Sequence, residues 1–376
     1  MSKKIPWLVA IGLVAVVVVV LIVMNRPRGN PQEITIGAIL PLTGQGAAYG
    51  EAAKRGMDLA VQQVNSEGGI DGRTLRIVYE DSQGEPKSGV AAFQKLITVD
   101  RVPAVLGDLL SSVTLSIAPI ANRREVVLLS PASSSPKLTD AGQYVFRNCP
   151  SDVYEGTVMA DYAFNTLGYR RVAILRINNE YGVGIGGVFR RSFTDKGGTI
   201  VAEESYAEDA TDFRTQITKI AGQNPEAVYL LGYKQMGYIL RQAKELGFKT
   251  QFLSTVTFED PEILKLGGAA TEGVIYSASK FSPDSGDEVI RRFVNAYESL
   301  YQSKPNIFAG LSYDAVRILA IAMRDGGTDS NGIRAALHRI NKYPGVAGET
   351  TIDSHGDAVL TPVLKTVRDG KFVFVE

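Results

Sequence analysis

The chain has 376 residues, which is enough for two domains of ordinary size. Hydrophobic residues make up 45% and charged residues 21%, a composition typical of a globular rather than a disordered protein. Lys plus Arg equals Asp plus Glu at 40 each, so the net charge provides no attraction to nucleic acid. The single cysteine, Cys149, excludes an internal disulfide, and two histidines, His338 and His355, leave little for a metal site or a histidine base.

An apolar run at the N-terminus predicts export. Residues 5–24 carry no charge and follow Lys3 and Lys4, and at about 1.5 Å per residue a helix of this length crosses the core of a bilayer. No small-x-small cleavage motif and no cysteine for lipid attachment follow the run. We expect an uncleaved signal-anchor that tethers a periplasmic or cell-surface protein. A cleaved signal peptide is the alternative, and both export the chain from about residue 31 onward.

Predicted strands and helices alternate strictly through most of the chain. In the first half, strands cover residues 34–40, 75–79, 104–106, 126–129 and 144–147, and helices cover 49–65, 87–99 and 113–124. From Asp152 the rhythm restarts, with strands over 171–177, 199–206, 227–231, 251–254 and 273–279 and helices over 152–166, 183–196, 213–223, 236–246 and 261–266. Helices over 287–302, 312–326 and 331–339 and strands near 346–352 and 363–375 follow. The alternation predicts an α/β fold with parallel sheets and helices on both faces.

Hydroxyl groups follow two neighbouring predicted strands in the segment 104–135. Ser111 and Ser112 come after the first strand, and Ser130 and residues 133–135 come after the second. Ligands bind at the carboxyl ends of parallel strands, and a following helix N-terminus offers backbone N–H groups to an anion. The segment therefore predicts a polar, uncharged cradle for a carboxylate. Serines that only cap helices and form turns are an equal alternative for this segment alone.

Four aromatic residues lie on predicted loops or helix starts rather than on core faces: Tyr49, Tyr181, Tyr233 and Phe308. Each alone is typical of a packed surface aromatic. Together, at the carboxyl ends of separate βα units and beside the serines, they predict the aromatic wall of a small-molecule cleft.

Motifs for an enzyme are weak. Residues 182–187 match G-x-G-x-x-G, but four residues separate the motif from the preceding strand, and it lies in mid-chain, which argues against a dinucleotide site. The sequence contains no Gly-x-Ser-x-Gly elbow and no His-Glu-x-x-His motif. These observations argue against a dehydrogenase and a hydrolase, and we expect no enzyme activity.

Several short motifs occur together and in order: residues 36–44, Tyr49-Gly50, 65–72, Glu80-Asp81 with Pro86, Gly107 with Ser111-Ser112, 130–134, 180–182 and Gly232-Tyr233. Through them the chain, from about residue 34 to 375, resembles the exported substrate-binding proteins of branched-chain amino-acid ABC transporters, which have the type I periplasmic-binding-protein fold. Each motif alone is unspecific, but the ordered set is specific to that family.

The resemblance implies two doubly wound parallel-sheet lobes joined by a three-strand hinge, with a ligand cleft between them. It assigns residues 33–151 and 281–345 to lobe I and residues 152–280 and 346–376 to lobe II, after a signal segment and spacer over 1–32. It implies reversible, non-catalytic capture of a branched-chain or related amino acid for an ABC importer. We expect a monomeric protein whose partners are the small-molecule ligand and the permease subunits in the membrane. No cofactor, metal or nucleic acid is expected.

The resemblance also implies the ligand contacts. Serine hydroxyls and backbone N–H groups hold the carboxylate, acidic and tyrosine side chains meet the ammonium group, and aromatic rings enclose the ligand's side chain. The corresponding residues are Ser111, Ala132 and Ser134 for the carboxylate, Asp152 and Tyr181 for the ammonium group, Tyr233 for the closing second lobe, and Tyr49 and Phe308 for the side-chain pocket. Ser112 and Ser133, which are adjacent to these serines, are also predicted to be ligand-binding residues.

One position departs from the family pattern. After residues 251–255, where amino-acid binders of this family carry a glutamate, this chain has Val256. Loss of an anionic partner weakens the binding of a buried ammonium group, and the nearby Glu259 replaces it only if its loop bends inward. The alternatives are an amine-free carboxylate, an amide or a urea-like ligand, or a ligand-sensing protein of the same fold that feeds no transporter.

Overall fold

The structure, a computed structural model, describes residues 32–375. The predicted signal-anchor over residues 5–24 lies outside that range and stays a prediction from the sequence. Within residues 32–375, no helix combines the length and the apolar character that a membrane span requires.

A five-stranded parallel sheet forms the centre of the first lobe. Its strands are β1 (Glu33–Leu40), β2 (Thr74–Asp81), β3 (Ala104–Gly107), β4 (Val127–Ser130) and β5 (Val145–Arg147), and its crossover helices are α1 (Ala47–Ser66), α2 (Pro86–Lys95) and α3 (Ser111–Arg124). The spatial order is β2-β1-β3-β4-β5, with every neighbouring pair parallel. Strands β3 and β4 are buried along their whole length, as expected of apolar strands covered on both faces.

A second, seven-stranded sheet forms the centre of the other lobe. Its parallel strands are β6 (Arg171–Ile177), β7 (Thr199–Tyr206), β8 (Ala227–Leu231), β9 (Gln251–Ser254) and β10 (Ile275–Ala278). The associated helices are α4 (Asp152–Asp161), α5 (Glu180–Asp195), α6 (Arg214–Ala221), α7 (Gln235–Glu245) and α8 (Pro261–Gly267). The α/β architecture with parallel sheets confirms the prediction from the alternating pattern.

The end of the chain differs from the prediction of one strand over residues 363–375. It forms two antiparallel strands, β14 (Val363–Arg368) and β15 (Lys371–Phe374), at the edge of the second sheet beside β10. The chain reverses at Asp369 and Gly370, both of which have positive φ. A glycine tolerates that conformation without strain, so Gly370 favours the tight turn that divides the predicted strand.

Three helices and a small sheet complete the first lobe. The helices are α9 (Glu288–Tyr301), α10 (Ile307–Gly326) and α11 (Ser330–Leu337), and the small antiparallel sheet contains β11 (Tyr343–Gly345), β12 (Gly348–Ile352) and β13 (Ala358–Val359). Val346 and Ile352 pack into the first lobe's core, although the predicted boundary assigned residues 346–376 to lobe II. The Asp314 carboxylate on α10 explains this placement, since it accepts hydrogen bonds from the N–H groups of Val346 and Ala347 at 3.0 Å each.

The two lobes have separate apolar cores, and the chain passes between them in three places. The passages lie between Cys149 and Met159, between Ala278 and Phe281, and between Leu360 and Val367. Three connections is the number that the resemblance implied for the hinge. They leave the carboxyl ends of both sheets facing a shared gap, which positions the site described next.

Candidate ligand-binding site

A cavity lies between the two lobes at the carboxyl ends of their strands. The space between its lining atoms, including the part open to solvent, is about 720 Å³. Residues that follow β3, β4 and β5 line one side, and residues that follow β6, β8, β9 and β10 line the other, as the topology of parallel sheets predicts. The lining residues are Tyr49, Leu109, Leu110, Ser111, Ala132, Ser134, Cys149, Pro150, Glu155, Tyr181, Tyr233, Val256, Thr257, Ser279, Ile307, Phe308, Leu311 and Leu360.

Serines at the start of α3 and after β4 form a polar, uncharged end of the cavity. Ser111 is the first residue of α3, and its hydroxyl accepts a hydrogen bond from the backbone N–H of Ser135 at 3.2 Å. The carbonyl of Asp108 anchors the second loop, because it accepts hydrogen bonds from the hydroxyls of Ser130 at 2.6 Å and Ser133 at 3.0 Å. A helix N-terminus beside hydroxyl groups favours a negatively charged ligand group.

Three of the predicted contacts, Ser112, Ser133 and Asp152, are absent from the cavity wall. Ser112 is half-buried on α3 and lies off the cavity. The hydroxyl of Ser133 is buried 2.7 Å from that of Thr114, where it supports the loop. Asp152 is wholly buried behind Ser134, whose carbonyl accepts a hydrogen bond from the Asp152 N–H at 2.8 Å. A run of hydroxyls in the sequence does not reveal which of them face inward.

Aromatic rings from both lobes meet across the cavity. The rings of Tyr181 and Tyr233 are nearly parallel, with centroids 5.7 Å apart, and the ring of Tyr49 lies 6.0 Å from that of Tyr233. Phe308 approaches Tyr49 edge-on at 4.6 Å. All four predicted aromatic residues therefore line the cavity together. They offer an apolar surface of the kind that encloses a ligand side chain.

The position of the expected glutamate is an apolar part of the wall, formed by Val256. Glu259 does not replace it. The Glu259 carboxylate accepts hydrogen bonds from Lys365 Nζ at 2.7 and 2.9 Å, and Lys365 also donates to the carbonyl of Phe281 at 2.5 Å. Both charged side chains are buried, so this ion pair holds Glu259 away from the cavity as a structural link between β14 and the loop after β9.

A different carboxylate, which the sequence analysis missed, lines the cavity. Glu155 lies one turn after Asp152 on α4 and is 4% exposed. Its Oε2 accepts a hydrogen bond from the hydroxyl of Ser277 on β10 at 3.1 Å. The spacing of three residues from Asp152 is the signal for its position, since residues i and i+3 share a helix face.

Burial raises the pKa values of both acidic residues on α4. The pKa of Glu155 rises to about 8 through burial and through the neighbouring charge of Asp152, while Ser277 opposes the rise. The pKa of Asp152 rises to about 7 through burial, with Ser134 and the Arg147 guanidinium opposing the rise. Strongly shifted pKa values in a cleft are typical of functional sites.

Comparison with known proteins identifies the family. The family model described as "periplasmic binding protein" matches residues 33–366. The chain belongs to this family. Among its relatives, Leu/Ile/Val-binding protein homolog 3 of Brucella melitensis is 29% identical over 350 residues, which cover 92% of this chain and 94% of the relative.

Solved structures of periplasmic binding proteins show the same architecture. A leucine-binding protein LivK from Thermotoga maritima is 30% identical, with a TM-score of 0.85 and coverage of 91% of this chain and 98% of the other. The branched-chain amino acid transporter substrate-binding protein LivJ from Streptococcus pneumoniae, in complex with isoleucine, is 30% identical, with a TM-score of 0.84 and coverage of 90% and 97%. These matches confirm the predicted family and the type I fold.

Membership of the family determines the general type of protein. Periplasmic binding proteins bind solutes and are not enzymes, which confirms the expectation of non-catalytic binding. The family also implies an exported location. One of these relatives, LivJ from Streptococcus pneumoniae, is a substrate-binding protein of a branched-chain amino acid transporter.

Proposed function

We propose that this periplasmic binding protein is the solute-binding component of an ABC importer and that it captures a small amino acid with an apolar side chain. The observation that carries the proposal is the composition of the interlobe cavity. It combines Ser111 and Ser134 at a polar end, the Glu155 carboxylate, and the rings of Tyr181 and Tyr233. A zwitterion with an aliphatic side chain matches these three surfaces. The isoleucine complex of the LivJ relative supports the same ligand class.

Binding proceeds in two steps in this proposal. The ligand first docks on lobe I, where its carboxylate meets Ser111 and the loop that carries Ala132 and Ser134. Lobe II then rotates about the three connections and brings Tyr181 and Tyr233 onto the ligand. The ligand needs only to shift an open–closed equilibrium of a few kcal/mol. The closed arrangement presents a combined surface of both lobes, which permease subunits recognise.

The membrane and partner assignments belong to the same proposal. Residues 5–24 tether the exported protein to the membrane, and the protein acts as a monomer beside its permease. The support for the tether is the length of the uncharged run. The support for the permease is the transporter role of the relatives.

A second candidate ligand is an amine-free carboxylate. Val256 favours it, because an apolar side chain stands at the wall position where amino-acid binders carry a glutamate. Such a ligand would use the serine end and the aromatic wall of the cavity in the same way. It would leave the Glu155 carboxylate without a charged partner.

Ligand titrations of the purified protein distinguish the two candidates. We expect L-leucine and L-isoleucine to raise the melting temperature in a concentration-dependent manner, and 4-methylpentanoate, which lacks only the amine, to raise it less. L-aspartate is the control, because its second carboxylate does not match the apolar wall. Stronger stabilisation by 4-methylpentanoate would favour the second candidate. The absence of a shift with all of these compounds would contradict both.

A further inference from the structure

Two buried carboxylates on α4 lie beside the ligand cavity, and neither forms an ion pair with another residue in the range 32–375. Asp152 is 0% exposed, and neither of its carboxylate oxygens has a hydrogen-bond partner among the described residues. Glu155, one turn along, lines the cavity and is also buried. The positive charge of Arg147 lies close enough to Asp152 to oppose the rise of the Asp152 pKa. The Arg147 guanidinium, however, makes a bidentate pair with Asp357 at 2.7 and 2.6 Å. A buried ionised carboxylate without a partner is costly.

The groups that face this carboxylate pair from the surrounding elements are mostly neutral. Burial raises the pKa values of three tyrosines, Tyr181, Tyr229 and Tyr233, and of the Cys149 thiol above their ordinary values. These four groups therefore stay protonated at neutral pH. The hydroxyl of Ser277 donates to Glu155. The titratable and charged groups concerned are Arg147 and Cys149 at the end of β5, Tyr181 on α5, and Tyr229 and Tyr233 on and after β8.

We propose that Asp152 and Glu155 share one proton in the ligand-free protein and release it to solvent when the ammonium group of a ligand binds at Glu155. Two like charges in one buried site resist ionising together. A bound cation removes that restriction, and the ammonium group keeps its own protons. The inference rests on the proposed function and deepens it, because it supplies an ammonium site that Val256 and Glu259 do not provide.

The raised pKa values agree with this geometry. Burial places the pKa of Glu155 at about 8 and that of Asp152 at about 7, both above the ordinary values of these groups. The pair therefore holds a proton at neutral pH when no cation is present. Because the two groups interact, the titration belongs to the pair rather than to either residue.

Proton release makes ligand affinity depend on pH in opposite ways for two classes of ligand. Below the pKa of the pair, release of one proton strengthens the binding of an amino acid by about tenfold per pH unit. An amine-free carboxylate binds more tightly while the pair keeps its proton. Once the pair ionises, a second negative charge lies beside the ligand's own carboxylate. Its affinity is therefore expected to stay constant while the pair is protonated and to fall as the pH rises above the pKa of the pair.

Calorimetry of the full-length protein tests the proposal. L-leucine and 4-methylpentanoate are titrated from about pH 6 to about pH 9, a range that spans the pKa values of the pair, each in two buffers of different ionisation enthalpy so that released protons are counted. For the wild-type protein we expect leucine affinity to rise about tenfold per pH unit with release of one proton below the pKa of the pair and to level off above it. The affinity for 4-methylpentanoate is expected to fall only above that pKa. Glu155→Gln is expected to abolish both the slope and the proton release.

Asp161→Asn is the matched control variant. Asp161 lies on the same helix, but its side chain is 51% exposed and paired with Lys196, so the variant should keep the wild-type pH profile. A flat wild-type leucine profile without proton release would overturn the proposal. A slope that persists in both Glu155→Gln and Asp152→Asn would also overturn it, because the proton would then reside elsewhere. If Glu155→Gln does not fold, Asp152→Asn and the wild-type proton count carry the same test.

A measurement without ligand separates failure of this inference from failure of the proposed function. If leucine does not bind the wild-type protein at any pH, the amino-acid function is wrong, and the pair is judged from unfolding alone. The carboxyl groups of the unfolded chain lose their protons above the ordinary carboxylate pKa, whereas the folded protein keeps the shared proton. The contribution of this pair to the free energy of unfolding therefore decreases as the pH rises from about 5 to about 8. The stability of Glu155→Gln relative to wild type should therefore increase over that range. A constant difference would overturn the shared proton.

Discussion

At the scale of single residues, burial decides which of the clustered serines can serve a ligand. Ser111 and Ser112 are neighbours on α3, yet Ser111 is buried in the cavity wall and Ser112 is half-buried away from it. Ser133 uses its hydroxyl to hold the loop, through Asp108 and Thr114. The hydroxyl-rich segment therefore contains both structural serines and serines that are available to a ligand.

Ser111→Ala is expected to weaken L-leucine binding by about tenfold or more, since a hydrogen bond to a charged group contributes about 1.5–3 kcal/mol. The binding of isopentylamine, which lacks a carboxylate, should not change. Calorimetry measures both ligands.

Ser112→Ala is the control for this prediction and should bind leucine like the wild-type protein. Because Ser111 also accepts a hydrogen bond from the Ser135 N–H, urea unfolding of Ser111→Ala shows how much of the effect is structural. An unchanged leucine affinity, or an equal loss in Ser112→Ala, would contradict the role assigned to Ser111.

At the scale of structural elements, one buried arginine at the end of β5 organises the loop after β4. Arg147 is 1% exposed and donates to the carbonyls of Ser134 and Ser135 at 2.9 Å each, to Thr139 at 2.7 Å, and to both oxygens of Asp357. The planar guanidinium satisfies partners in several directions at once. It therefore joins the loop that lines the cavity to the segment that follows β12.

Arg147→Lys is expected to lower the free energy of unfolding by about 2–3 kcal/mol, because lysine keeps the charge but lacks the fork of donors. The leucine affinity should fall as well, since the Ser134 carbonyl loses its anchor. Urea unfolding and calorimetry measure the two effects.

Arg292→Lys is the control for this substitution. Arg292 pairs with Glu288 on the surface and its side chain is 78% exposed, so the change should have almost no effect on stability. If Arg147→Lys were as stable as the wild-type protein, the loop would not depend on the guanidinium.

At the scale of the whole molecule, the lobes also touch outside the cavity, where α5 meets the turn that follows the serine loop. A Cβ atom at Gly184 would lie 2.9 Å from Cδ of Pro136. Beside this contact, Lys137 Nζ lies 2.7 Å from Glu180 Oε2 in an exposed ion pair, which contributes little to stability in solvent. The absence of a side chain at Gly184 is therefore what allows the lobes to approach this closely.

Gly184→Leu is expected to reduce leucine affinity by about tenfold or more and to accelerate ligand dissociation, because the new side chain opposes closure. Ligand-free stability should change little, since the side chain has space when the lobes are apart. Stopped-flow kinetics and thermal unfolding measure these effects.

Gly187→Leu is the matched control on the same helix. The nearest atom to a Cβ at Gly187, the Nη2 of Arg190, is 3.7 Å away, so the substitution does not obstruct the other lobe. Equal affinities of the two variants would refute the role of Gly184 in closure.

The sequence by itself determined the order of the elements, the fold class and much of the cavity wall. The strand predicted over residues 104–106 is Ala104–Gly107, and the helix predicted over 236–246 is Gln235–Glu245. Tyr49, Tyr181, Tyr233 and Phe308 all line the cavity as predicted. These features are predictable because apolar runs, alternation and strand ends are local properties, and parallel topology brings strand ends to one edge.

Only the tertiary structure decided which polar groups face the ligand and which are paired inside the protein. Glu259 pairs with Lys365, which lies 106 positions further along the chain, and Arg147 pairs with Asp357 at a separation of 210. Glu155 faces the cavity because α4 packs with one face toward the interlobe gap. The orientation of a polar side chain and its pairing partner depend on residues that are distant in the sequence and become neighbours only through packing. No local sequence pattern contains that information.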